Sequence, residues 1–323
     1  MDTSAISILT ILISVQIPAI LCSIFCLYHF LWTRELRHGI HNHAIICLLI
    51  CSLLAIATEL PIAEQFLVYG IVYPSTRSFC LFWNYWNFTL NNGNIFIMAW
   101  MSIERHLLIF HSNLYRTSRG RLLYHFVPLL SAVVYSPLCM LALAFYPCTN
   151  ISMFSYKRFL CNYACFLSQK ILVSYELIGN LLVPTMIIVL CSCALSIRVI
   201  RSKRKIIAQV FRWRKTQKLL VQLILISTCY SLIWIPYTIV ILLSQYWRPN
   251  IVDANVTLFL NYGGYVTTLL TPFLCLNSIP NLKRNLKQPL FVMFKYKKKH
   301  SVVPIETIRT NHHLAESRRA IAH

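Results

Sequence analysis

Seven apolar runs constrain this chain more than any other feature of its sequence. A helix needs about 20 apolar residues to cross the hydrocarbon core of a bilayer. Only 12% of the residues are charged, about half the share in soluble domains. The sequence therefore predicts an all-α integral membrane fold, a seven-transmembrane helix bundle with spans near residues 5–31, 43–69, 79–110, 124–146, 167–197, 219–244 and 256–279.

The basic residues indicate how the bundle is oriented. The segments before the second, fourth and sixth runs, together with the C-terminal segment, hold 25 of the 30 Lys and Arg. Because positive segments stay in the cytosol, we expect an outer N-terminus, a cytoplasmic C-terminus and a multi-pass protein of the plasma membrane. The basic residues line membrane boundaries, so the formal net charge of +21 indicates a bilayer with an anionic inner leaflet rather than nucleic acid.

The third run carries a polar stripe. Four of its asparagines recur at spacings of 3, 4 and 3, which places them on one face of a helix: Asn84, Asn87, Asn91 and Asn94. Amides are costly in lipid, so this face looks at protein or trapped water. The 25 helical steps from Cys80 to Arg105 rise about 37 Å, so these two residues emerge on opposite sides of the membrane.

Ionisable side chains inside the apolar runs are functional candidates, because burying a charge in a membrane is expensive. Glu59 and Glu64 lie near the outer end of the second run, and Glu176 lies inside the fifth. For the first two, an alternative is a wet interfacial position with Arg77 or Lys157 as partner.

The segments between and after the runs predict further features. Glu35, His38, His41 and His43 fall in one inner loop, but no cysteine or second carboxylate completes a zinc site, so we expect no metal there. Asn150 begins an Asn-Ile-Ser glycosylation sequon in the longest outer loop. We expect one membrane domain over residues 1–294, ending in an amphipathic helix near 280–290, and a basic, disordered cytoplasmic tail over 295–323.

Four landmarks at characteristic spacing together resemble the rhodopsin-like (class A) G-protein-coupled receptors, in a divergent form, over roughly residues 5–294. Cys80 precedes Arg105 by the family's interval. The other three resemble the motifs Glu/Asp-Arg-Tyr, Cys-Trp-x-Pro and Asn-Pro-x-x-Tyr: Glu104-Arg105-His106, Ile233-Trp234-Ile235-Pro236 and Thr271-Pro272-Phe273-Leu274-Cys275.

The sequence also departs from the family pattern. Ser52 stands where the second helix usually has aspartate, and Ser192 and Cys275 stand where the fifth and seventh helices usually have tyrosine. The first departure argues against the family's sodium site. The other two weaken the water-bridged tyrosine pair of the active state.

The resemblance implies a switch. Agonist would free Arg105 from Glu104 to meet a heterotrimeric G protein, Trp234 would transmit ligand binding, and Pro236 and Pro272 would be the hinges. The simpler alternatives are that Arg105 snorkels to the interface and that Trp234 only packs.

The resemblance also implies an outer disulfide from Cys80 to the loop before the fifth helix. Cys161 is the favoured partner and Cys165 the alternative. With the first choice, Cys148 and Cys165 would form a second disulfide.

The predicted ligand pocket is lined by Asn84, Asn87, Asn91, Glu176, Tyr237, Tyr262 and Tyr265, with Glu59 and Glu64 at its rim. Amine receptors have aspartate where this chain has Asn87, which disfavours a small amine. The seventh run lacks lysine, which excludes a retinal Schiff base, and we expect no cofactor. Acidic rim groups and many aromatics suit an extracellular peptide that is basic or amidated, with Glu176 receiving its cation.

Other classes of protein fit less well. No nucleophile motif or paired intramembrane His/Asp/Glu set predicts an enzyme or catalytic residues, and no internal repeat predicts a transporter. A receptor-shaped protein that binds ligand or partners without G-protein coupling stays open, because the two tyrosines are replaced.

Overall fold

The computed structural model describes residues 3–144, 154–162, 169–203, 210–246 and 254–276. In these residues the chain forms seven long helical rods, named α1–α7 in chain order. Their bounds are α1, Thr3–Trp32; α2, Ile40–Leu54, Ala55–Glu59 and Leu60–Tyr69; α3, Arg77–Phe110; α4, Ser118–Arg121, Leu122–Phe126 and Val127–Ala144; α5, Lys170–Ser174, Tyr175–Leu182 and Val183–Lys203; α6, Val210–Tyr246; and α7, Ala254–Leu276. Short helical turns at Arg34–Arg37, Ser112–Tyr115 and Phe159–Asn162 lie in the connections.

Five of these rods, α1, α2, α4, α5 and α6, are long and apolar enough to cross a membrane. Their outward faces carry aliphatic side chains that are roughly three-fifths exposed, such as Ile11, Leu21, Leu130 and Leu138. Continuous apolar surface of this kind is costly in water, so these faces suit lipid.

The rods α3 and α7 carry more polar side chains, including the asparagines of α3. α3 packs against α2, α4 and α5, and α7 packs against α1, α2 and α6. Because these two rods are enclosed by others, their polar groups find partners in protein.

Three of the rods contain a stretch of wider, π-helical turns. The stretches are Ala55–Glu59 in α2, Leu122–Phe126 in α4 and Tyr175–Leu182 in α5. Each contains a side chain that is ionisable and buried: Glu59, His125 and Glu176. π-helical turns occur often at functional sites, so these three positions are functional candidates.

A disulfide and an amide fix the N-terminal end of α3, which is predicted to be the outer end. Cys80 is bonded to Cys161, with Cα atoms 5.8 Å apart, which is the first of the two predicted pairings. Asn84 donates hydrogen bonds to the carbonyls of Cys80 (2.8 Å) and Leu160 (2.9 Å). Leu160 and Cys161 are buried with φ of 48° and 54°, a left-handed backbone that non-glycine residues rarely adopt. Several contacts therefore hold the loop against the bundle.

Several predictions fall outside the described residues. These are the second disulfide, Cys148 to Cys165, the sequon at Asn150, the amphipathic helix near 280–290 and the tail over 295–323.

Candidate functional site

A small cavity lies among α3, α5, α6 and α7 beneath the outer loop. Its volume is about 50 Å³, enough for only a few water molecules. Phe159 and Leu160 of the loop contribute to its wall. Of the nine residues predicted to bind ligand, five line it: Asn87, Asn91, Glu176, Tyr237 and Tyr265.

The other four predicted residues lie outside the lining. Asn84 holds the outer loop instead, and Tyr262 donates to the Ala63 carbonyl at 3.1 Å. Glu64 is half-buried, with Oε1 shielded from solvent and without a hydrogen-bond partner in the described structure. Glu59 is 1% exposed, so its position is inside the bundle rather than at a wet rim.

Three side chains converge on Glu59. Its Oε1 accepts hydrogen bonds from Trp83 Nε1 at 3.1 Å, Asn87 Nδ2 at 2.8 Å and Tyr265 OH at 2.6 Å. Its Oε2 is buried without a partner among the described residues. Asn87 and Tyr265 also line the cavity, so the acidic group sits directly behind the cavity wall.

Glu176 forms a second acidic centre. Its Oε1 accepts from Asn92 at 2.7 Å and its Oε2 from Asn180 at 2.6 Å. Tyr135 OH donates in turn to Asn180 Oδ1 at 2.9 Å. Asn92 was missed by sequence analysis because it lies off the asparagine stripe. The signal was present, since Asn92 is a further amide in the same apolar run.

Trp234 lies at the cavity floor and contacts α7. It is 6% exposed, and a Cβ added to Gly264 would lie 3.3 Å from its Cη2. Its ring meets Tyr237 edge-on, with ring centroids 5.4 Å apart. Pro236 lies in the interior of α6, where it removes a backbone hydrogen bond and allows a bend. Trp234 therefore connects the cavity, α7 and this bend.

At the C-terminal end of α3, which is predicted to be the inner end, Glu104 pairs with His125 of α4. Glu104 Oε1 bonds His125 Nδ1, and both side chains are fully buried. Arg105 beside it is 5% exposed, so it does not reach into water. Sequence analysis missed His125 because it falls at the predicted edge of the fourth run, although a buried ionisable residue in a membrane span is itself a signal.

The positions that depart from the family pattern have their own partners. Ser52 donates to Asn94 Oδ1 at 3.2 Å. Ser192 and Ser227 share a hydrogen bond of 2.7 Å between α5 and α6. Direct contacts between helices therefore occupy these two places. Cys275, at the third, is fully buried.

The described residues hold no cluster of three or more His, Cys, Asp and Glu placed to bind a metal. Of the predicted loop set, His43 contacts His125 and the Arg37 carbonyl. The side chains of Glu35 and His41 lie outside what the structure describes.

The chain forms a helical bundle with walls that suit lipid. One end has a cavity capped by a disulfide-bonded loop, and the other end has the neighbouring buried residues Glu104 and Arg105. This architecture is typical of a membrane receptor. The chain belongs to the rhodopsin family of seven-transmembrane receptors, whose family model matches residues 22–274. Members of this family signal as G-protein-coupled receptors and are generally not enzymes. No curated protein matches the chain significantly.

Proposed function

We propose that this protein is a G-protein-coupled receptor that converts the binding of an extracellular basic or amidated peptide into activation of a heterotrimeric G protein. The observation that carries the ligand class is the pair of buried carboxylates, Glu59 and Glu176, beside one cavity. Among the described residues that line the cavity, none is Lys or Arg. An incoming cation would therefore supply the counter-charge that no base among these lining residues provides.

The ligand would enter by one group only. A cavity of about 50 Å³ holds a few water molecules, so a whole peptide does not fit in this conformation. A side chain or terminal group would displace these waters and push Phe159 and Leu160 outward, while the rest of the peptide lies on the outer loop.

The path to the inner side would pass through Trp234. A bound ligand that contacts this ring would move it against Gly264 and change the bend at Pro236. The inner half of α6 would then swing. Arg105 would then leave its buried place beside Glu104 and contact the G protein. This scheme places α3 and α7 across the membrane with the other rods, and the N-terminus outside.

The test uses one arm for each half of the proposal. A peptide library first identifies an agonist, and Glu176→Gln should then lower its potency more than tenfold, because a buried charge pair is replaced by a neutral contact. Unchanged potency would remove Glu176 from the ligand site.

In the second arm, nucleotide exchange on purified G protein should fall to background with Arg105→Ala and remain with Arg116→Ala, an exposed inner-loop arginine.

A second candidate is a receptor-shaped protein that binds ligand without coupling. The observation in its favour is the replacement of both tyrosines by Ser192 and Cys275. This candidate predicts saturable ligand binding with no nucleotide exchange at any ligand concentration, and binding that does not change in Arg105→Ala.

A further inference from the structure

A chain of hydrogen bonds runs from the outward wall of the bundle to Glu176. Tyr135 of α4 and Tyr175 of α5 are 36% and 43% exposed on that wall, and their hydroxyls bond one another. Tyr135 OH also lies 2.9 Å from Asn180 Oδ1, and Asn180 Nδ2 lies 2.6 Å from Glu176 Oε2. At the other end of the chain, Cys139 Sγ lies 3.8 Å from Tyr175 OH. The chain therefore alternates between α4 and α5 before it reaches the carboxylate.

The direction of each hydrogen bond follows from the buried end of this chain. A carboxylate only accepts, so the amide of Asn180 must present its NH2 group to Glu176. The oxygen of the same amide then faces Tyr135 and needs a donor. Because a hydroxyl has one proton, Tyr135 gives its proton to Asn180 and must accept from Tyr175. Every bond therefore donates toward the carboxylate.

The hydroxyl of Tyr135 decides which end of the Asn180 amide meets Glu176. The side chain of Asn180 is fully buried, and a buried amide that loses a partner is left with a costly unmade bond. Without the hydroxyl, nothing among the described contacts holds the amide oxygen away from the carboxylate. If the amide turned, its oxygen would meet Glu176 Oε2, and two acceptors attract one another only when one of them carries a proton.

The group that best fits this acceptor is a guanidinium. Each carboxylate oxygen has about two lone-pair sites, and in Glu176 one site is taken on each oxygen, by Asn92 on Oε1 and by Asn180 on Oε2. One site on each oxygen is therefore left for a ligand in the cavity that Glu176 lines. A guanidinium offers two parallel N–H donors in the geometry of a carboxylate.

We propose that Tyr135 is a positioning residue for a guanidinium site: by holding the amide of Asn180, it keeps Glu176 an acceptor and makes the site prefer an arginine side chain over a neutral group of the same shape. Tyr135 is not among the residues that line the cavity, so it acts through Asn180 rather than by touching ligand. This preference rests on the proposed function, because it concerns the cation that Glu176 receives.

The test compares two forms of a peptide that activates the receptor in the library screen. One form carries arginine at the position that potency requires, and the other carries citrulline, a neutral group of nearly the same shape. On the wild type the arginine form should be at least about tenfold more potent, because citrulline forms no charge pair. Agonists whose potency never depends on an arginine would overturn the guanidinium site.

Tyr135→Phe should narrow the ratio of the two potencies to about threefold or less, because a carboxyl group that faces the turned amide favours its neutral form. A role in packing alone would lower both potencies by the same factor and leave their ratio unchanged. An unchanged ratio in Tyr135→Phe would therefore overturn the positioning role.

Tyr175→Phe is the matched control for this variant. It removes a hydroxyl from the same wall of the bundle, but it leaves Tyr135 free to donate to Asn180. The ratio of the two potencies should therefore stay at the wild-type value. An equal narrowing in Tyr175→Phe and Tyr135→Phe would contradict the positioning role of Tyr135.

Thermal unfolding of the full chain in lipid nanodiscs tests the hydrogen-bond chain without ligand. Tyr135→Phe leaves the buried Asn180 oxygen without its donor and the Tyr175 proton without its acceptor, whereas Tyr175→Phe leaves the bond to Asn180 intact. The unfolding midpoint should therefore fall further in Tyr135→Phe, and adding Tyr175→Phe to it should change little. An equal or larger fall in Tyr175→Phe would overturn the direction of the chain.

The two arms separate this inference from the proposed function. If no peptide activates the receptor while the difference between the two unfolding midpoints persists, the proposed function fails and the hydrogen-bond chain stands. If arginine peptides activate the receptor and Tyr135→Phe keeps the wild-type ratio, the proposed function stands and the positioning role is wrong.

Discussion

Ser192 and Ser227 share a hydrogen bond of 2.7 Å that connects the inner halves of α5 and α6. Both side chains are buried, so water does not replace either partner. This contact lies on the inner side of Pro236, the point at which α6 would bend. An outward swing of α6 would therefore break it.

Removing this bond should favour the active conformation. Ser227→Ala and Ser192→Ala should each raise basal nucleotide exchange about two- to tenfold, which corresponds to the roughly 0.5–1.5 kcal/mol of a neutral hydrogen bond. The double variant should add little more, because both substitutions delete the same contact. Ser231→Ala is the control, since Ser231 bonds only a carbonyl of its own helix among its described contacts. Additive effects of the two substitutions would contradict this role.

Gly264→Ala should disturb Trp234. The added methyl would lie 3.3 Å from Cη2 of the indole, which is tighter than ordinary contact, so the ring must move. We expect basal exchange or agonist potency to change by about fivefold or more, the effect of a shift of roughly 1 kcal/mol. Gly263→Ala is the matched control, because its methyl would meet the half-exposed Phe259. Equal behaviour of the two alanine variants would show that Trp234 is not a transmitter.

Tyr265→Phe should destabilise the bundle by removing one of three donors to Glu59. A hydrogen bond to a carboxylate is worth about 1.5–3 kcal/mol. Tyr262→Phe deletes a hydroxyl that donates to a backbone carbonyl, and it should cost only about 1 kcal/mol. Thermal unfolding in nanodiscs compares the two. An equal loss of stability in both variants would mean that the hydrogen bond from Tyr265 to Glu59 stabilises the bundle no more than a bond to a backbone carbonyl.

Cys80→Ser should lower stability by about 2–4 kcal/mol, the usual effect of deleting a disulfide. Cys161→Ser and the double variant should match it, since each removes the same bond. The exposed free thiol at Cys193 provides the control substitution to Ser. Cell-surface expression and the unfolding midpoint are the measurements. An unchanged unfolding midpoint in Cys80→Ser would mean that the hydrogen bonds of Asn84 are enough to hold the outer loop without the disulfide.

Spacing along the sequence predicts which rods exist and which residues share a face, because both follow from helical geometry. The stripe of asparagines in α3 is polar and enclosed, as that geometry implies. The pairing of Asn94 with Ser52 follows from their similar depth in the bundle, but the partners of the other amides are not predictable in this way. Asn84 binds the outer loop and Asn87 binds Glu59. Each of these two contacts depends on the rotation of a neighbouring rod, which the sequence does not reveal.

The inner end of α3 shows the same limit. The sequence places Glu104 beside Arg105 and suggests that they pair with one another. The structure adds His125, whose approach depends on the rotation of α4. Neither residue carries a local signal for the other, because they are 21 positions apart and on different helices.

Glu59, His125 and Glu176 lie in π-helical turns. The directions in which their side chains point therefore depend on the number of residues in each rod as well as on residue type. Successive residues of an α-helix are about 100° apart around the axis, so a deletion that restores regular turns would rotate one half of a rod against the other. Deleting one residue between Asn180 and Leu182 would leave Glu176 in the sequence but turn it toward a different neighbour. The register of α5 is therefore as necessary to this acidic centre as the glutamate itself.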